Sequence, residues 1–184
     1  MIYLWVSFNA WLMYAVNDSV SKGNELTDAF LVEAAEHDKI LKDKFEKLKK
    51  ENSDFIKIVN EFSCLWPVFQ AKELFRRNID GWRLYQSDET RKDFIKRCLS
   101  AGISPKYYSH RCYFEHNEKP SADWPHTISA IYQVRCNLFH GGKNFINSDD
   151  ANFVRHAFLI LWHVWGKDML QNYRPSLKRH NITN

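Results

Sequence analysis

The chain is poor in everything that breaks a helix. Its 184 residues include 6 glycines and 5 prolines, too few to punctuate the many short strands of a sandwich or barrel. The 4 cysteines, at 64, 98, 112 and 136, form no Cys-x-x-Cys pair, so neither a disulfide framework nor the usual first half of a zinc finger is written into them. Reduced thiols in a cytoplasmic setting are the expectation. No apolar run reaches the ~20 residues that a membrane span requires. The longest, Ile2 to Val16, is interrupted by Ser7 and Asn9 and lacks the basic start and small-residue cleavage site of a signal peptide. It reads as a buried helix, and no membrane partner is expected. Nor is there a large excess of one charge sign. The net charge is +4, which permits an anionic partner without requiring one. Lys39, Lys42, Lys44, Lys47, Lys49 and Lys50 alternate with Asp38, Asp43, Glu46 and Glu51, the pattern of a solvated helix face.

What is present is apolar and aromatic. Hydrophobic residues make up 45% and aromatic ones 15% of the chain, enough for a proper core in one domain. The fold class predicted is all-α, a compact helical bundle over residues 1–173 with a basic tail at 174–184. Helices are expected at 2–16, from a cap at Thr27 or Asn24 to about Lys50, from Ser53 to Leu65, and from Pro67 to Arg77. Further helices should run from Glu89 to Ser100 (closed by Gly102), from about Thr127 to Phe139, and from about Asp149 to Tyr173. Residues 103–125, with three prolines, read as a long irregular loop. Trp162-His163-Val164-Trp165 and His156 on the last helix read as packing residues.

The segment 127–139 carries one anomaly. At 100° per residue, Ile128, Ile131, Tyr132, Val134, Leu138 and Phe139 share an arc, and Arg135 sits in its middle. A guanidinium there cannot shed its charge and needs an anion. An ion pair with an Asp or Glu of the first helices is the plain structural answer. His140 follows at the helix end, before Gly141-Gly142, about 140° from Arg135 in ideal phase. A histidine can act as general acid or base near neutrality, and an arginine can clamp phosphate oxygens.

The run Ile131-Tyr132-Gln133-Val134-Arg135-Cys136-Asn137-Leu138-Phe139-His140-Gly141-Gly142-Lys143 resembles the Arg-x4-6-His signature of the HEPN superfamily, on the penultimate helix. Trp5-Val6-Ser7-Phe8-Asn9-Ala10-Trp11 resembles a HEPN first helix. The resemblance implies a helical bundle that dimerises about the motif helices and, in active members, cleaves RNA without metal or other cofactor. It implies catalytic roles for Arg135 and His140, with Asn137 orienting the histidine or donating to phosphate. Lys143, Asn9 and Tyr132 are the substrate-binding candidates, and Asn9 takes the place of the acidic residue that the family often carries on its first helices. RNA and a second copy of the chain are the expected partners, with an antitoxin or regulator a further one if the role is toxin–antitoxin or antiviral defence.

Three other readings compete. Many active members place a polar residue directly after the arginine, where Cys136 stands here; this favours an inactive HEPN module used for RNA or nucleotide binding or for dimerisation. The second is a plain helical interaction protein. The third is a zinc site from Cys112, His116, Cys136 and His140, whose Cys-x3-His spacings repeat.

Overall fold

The computed structural model describes residues 1–17, 27–66, 68–79, 88–103, 122–139 and 148–172. Every regular element among them is helical. The order is α1 (Ile2–Asn17), α2 (Asp28–His37), α3 (Lys39–Glu51), α4 (Ser53–Cys64), α5 (Ala71–Arg76), α6 (Asp88–Ser100), α7 (Trp124–Phe139), α8 (Ser148–Leu161), a π-helical turn (Trp162–Gly166) and α9 (Lys167–Asn172).

Small polar residues set several of these boundaries. Thr27 caps α2 by accepting from the Phe30 amide, and Asn52 caps α4 by accepting from the Phe55 amide at 3.0 Å. The single helix expected from Thr27 to Lys50 is instead two. The Asp38 side chain accepts from the Leu41 amide at 2.8 Å, so it ends α2 and starts α3, and the chain turns there. Pro67, expected to open the next helix, lies outside the described residues; residues 68–70 are non-helical and α5 begins at Ala71. The penultimate helix starts earlier than expected, at Trp124, because Asp123 accepts from the His126 amide and puts Pro125 in the first turn. The 103–125 loop and the 174–184 tail lie almost wholly outside the described residues.

The main core is built from α1, α2, α3, α4, α7 and α8. Trp5, Phe8, Phe45, Phe55, Phe62, Trp124, Ile128 and Ile131 are all fully buried; full burial of one such side chain contributes about 1.5–3 kcal/mol. Helix α2 runs antiparallel along α7, as Trp124, Ser129 and Arg135 meet Ala35, Glu36 and Asp28 in turn. The Trp124 indole donates to the Ala35 carbonyl at 2.7 Å, strengthening an acceptor that otherwise has only a long 3.4 Å bond from the Asp38 amide at the end of α2. The buried Glu36 carboxylate accepts from the Ser129 hydroxyl.

The last helical rod is interrupted by the π turn. A Cβ on Gly166 would lie 2.5 Å from the Trp162 ring and 3.1 Å from Leu4, so a side chain here would run into the tryptophan of its own turn and crowd α1. Val164 and Trp165 are buried and Trp162 and His163 half-buried, in keeping with their reading as packing residues. His156 joins α8 to α4, bonding the Asn152 carbonyl and Glu61.

A second, smaller core belongs to α5 and α6: Phe69, Leu74, Phe94, Cys98 and Ile103. Burial pushes the Cys98 thiol up to about 11. Both helices end alike. The amides of Asn78 and Ile79 return to the Phe75 and Leu74 carbonyls, and those of Gly102 and Ile103 to Leu99 and Cys98. Asn78 and Gly102 take the left-handed backbone, φ 52° and 71°, that this stop requires.

Candidate functional site

The site grows from the last two turns of α7. Arg135 is not centred on the buried face. Ile128, Ile131, Val134 and Asn137 are buried, while the Arg135 side chain keeps 18% exposure and Phe139 46%. The buried arc is therefore rotated away from the one expected, because Gln133 and Asn137 go inside in place of Phe139. Arg135 stands at the rim, its guanidinium 4.3 Å from the centre of the Phe139 ring, one turn on.

The anion that Arg135 needs is Asp28. Its Oδ2 lies 2.8 Å from Arg135 Nη1. Asp28 is the first residue of α2, where the helix dipole favours a carboxylate. Asn9 of α1 completes the set: its Nδ2 donates to Asp28 Oδ1 at 3.0 Å. Three helices thus converge on one carboxylate. Asn9 does not itself supply the acidic group; it holds the residue that does. Asp28 was not singled out by sequence, although its place directly after a Thr cap was a visible signal.

This network is incompletely satisfied. Arg135 Nε and Asn9 Oδ1 are both buried and without a hydrogen-bond partner among the described residues. The other near neighbour of the guanidinium is a weak acceptor, Cys136 Sγ at 3.9 Å. A buried donor and a buried acceptor left open cost about 1–3 kcal/mol each unless something fills them.

Asn137 behaves in the opposite way. It is 4% exposed. Its Nδ2 donates to the Phe69 carbonyl at 2.8 Å, and its Oδ1 accepts from the Ala71 amide at 3.0 Å and from Gln133 Nε2 at 3.1 Å. The amide expected to orient His140 or meet phosphate is committed instead to pinning residues 69–71 against α7. Gln70 gives α5 no side-chain cap; Asn137 supplies one from another helix. Tyr132 lies with its ring centroid 5.8 Å from that of Trp5, half-buried between α7 and α1.

His140, Lys143, Cys112 and His116 lie outside the described residues, so the Arg135–His140 pairing and the four-residue metal set lie outside them too. Among the described residues no three His, Cys, Asp or Glu side chains are grouped to hold a metal ion. No helix among them is long and apolar enough to cross a membrane. No family model, curated protein or solved structure matches the chain.

Proposed function

We propose that this chain is a HEPN-type, metal-independent endoribonuclease of the toxin or antiviral-defence kind, with Arg135 clamping the scissile phosphate and His140 as general acid or base. The observation that carries the reading is the Asn9–Asp28–Arg135 network. It sets against Arg135, from the first helices, an acidic partner of the kind the motif resemblance implies, and it leaves the guanidinium side chain partly exposed at the rim of the bundle.

In this chemistry a base takes the 2′-hydroxyl proton, that oxygen attacks phosphorus, and an acid protonates the departing 5′-oxygen. Asp28 fixes the guanidinium so that its remaining N–H groups can meet the extra negative charge on the phosphorane oxygens. One chain offers one motif histidine. A second copy paired about residues 128–143 supplies the other, so that one acts as base and one as acid.

Purified protein is expected to cut single-stranded RNA in EDTA, leaving 2′,3′-cyclic phosphate and 5′-hydroxyl ends. His140→Ala and Arg135→Ala should each lower the rate on the order of 10² to 10⁴. A rate that survives either change undiminished, or that depends on added metal, rejects the assignment. The Asp28–Arg135 ion pair alone also fits a bundle that binds RNA without cutting it, and RNA affinity with no cleavage would establish that second reading.

A further inference from the structure

The α5 helix has 6 residues, too few to hold together unaided. It is secured at both ends, by Asn137 at Ala71 and by the left-handed stop at Asn78. Leu74 faces the small core at 8% exposure. The next residue, Phe75, is 87% exposed, more than any other phenylalanine, leucine or isoleucine among the described residues that is exposed at all. Lys72 and Arg76 share its solvent face, and exposed Arg77 follows. Glu73 is the only acid in the helix, and it pairs with Arg76 at 3.3 Å. Among the described residues nothing uses the Phe75 ring, yet the helix that displays it is clamped to the motif helix two residues beyond Arg135.

We infer that α5 is a single-stranded RNA-binding platform, with Phe75 stacking on a base while Lys72 and Arg77 meet the flanking phosphates. An exposed aromatic ring on a short helix that carries Lys72, Arg76 and Arg77 against one acid suits an unstacked base and its backbone, whereas a protein-docking phenylalanine is better served by an uncharged surround. The position fits. Asn137 lies 200° around α7 from Arg135 and about 3 Å along its axis, so the Arg135 rim and α5 flank the same end of that helix. The choice of RNA rests on the nuclease reading of α7; the test separates the two.

The probe is a fluorescein-labelled 2′-O-methyl RNA of about ten nucleotides, within the length one such site spans, which lacks the attacking hydroxyl and so reports binding alone. Anisotropy titrations with the full chain should show Phe75→Ala weakening binding about tenfold. Phe75→Trp should keep it within about threefold, since indole stacks at least as well. Lys72→Gln and Arg77→Gln should each flatten the salt dependence by roughly 0.7 in log–log slope. Circular dichroism of each variant should match the parent, because these side chains are solvent-exposed. Unchanged affinity in Phe75→Ala, no RNA binding by the parent, or a Phe75→Ala change confined to oligomeric state overturns the inference, the last pointing to a protein contact. Phe75-dependent binding without any cleavage upholds it while removing the nuclease reading. Cleavage with Phe75-independent binding does the reverse.

Discussion

Arg135 and Asn137 are two residues apart on α7 and face opposite ways, and their surroundings differ in one physical respect. Asn137 is 4% exposed and every polar atom of its amide is bonded, to Phe69, Ala71 and Gln133. Arg135 is only partly enclosed, has one good anionic contact, and keeps a buried Nε without a partner among the described residues. A buried polar group with all its bonds made has nothing left to offer a ligand; its value is architectural. A cation held on one side and open on the other is already oriented and still has donors to give. Both were candidate catalytic residues from sequence, and the hydrogen-bond inventory is what separates them.

The sharpest way to break this comparison is to truncate each in turn. Asn137→Ala strands an amide N–H and a carbonyl of the 69–71 segment and should cost about 2–4 kcal/mol of stability, read from the urea midpoint. Arg135→Ala should shift that midpoint by about 1 kcal/mol or less, because Asp28, at 36% exposure, regains water. Its cleavage rate should nevertheless fall as proposed above. A large stability loss at Arg135 with none at Asn137 would invert the assignment.

A smaller effect is expected when the partner is changed. Asp28→Asn keeps the oxygen that Asn9 donates to but removes the charge facing Arg135. Cleavage should drop about tenfold, the worth of one lost charge-assisted bond of about 1.5 kcal/mol. An unaltered rate would show that Asp28 has no part in holding the guanidinium for reaction.

The smallest effect extends the comparison to a third polar side chain, His163 in the π turn. Burial pushes its pKa below the ordinary value, with Lys167 and Lys44 adding to the effect and Asp54 opposing it; Lys167 Nζ lies 3.3 Å from its Nδ1. The unfolded chain therefore binds this proton more readily than the folded one. Stability should decline as pH falls below about 6.5, the unperturbed histidine value, and go on declining until the folded-state pKa is passed. Lys167→Met should move the His163 titration upward when followed by proton NMR; an unmoved or lowered value would refute the role given to Lys167.

Much of the fold was legible along the chain. The scarcity of glycine and proline, the helix starts at Thr27 and Ser53, the stop at Gly102 and the apolar stretch from Ile2 all correspond to observed features. The misreadings have local causes. Asp38 looks like one more charge on a helix face, yet its side chain can replace the backbone acceptor of a turn, and the packing of α2 on α1 and of α3 on α4, with α7 shared between them, makes that replacement worthwhile. Pro67 was compatible with a helix start, but the backbone of Phe69 and Ala71 is claimed by Asn137 from a residue 66 or more positions away. No periodicity can report such a bond.

At the site, sequence by itself determined that a permanent cation lies on a largely apolar helix and must have an anion, because guanidinium does not deprotonate and bare charge is not buried. Which carboxylate answers it, that Asn9 braces that carboxylate, that Asn137 turns inward while Phe139 turns out, and that α5 is pinned beside the motif helix with Phe75 in solvent were decided only by the tertiary structure. Those outcomes depend on the rotation of α7 about its own axis against α1, α2 and the 69–71 segment. That rotation is set by the joint packing of side chains distant in sequence, and not by the spacing of residues within any one helix.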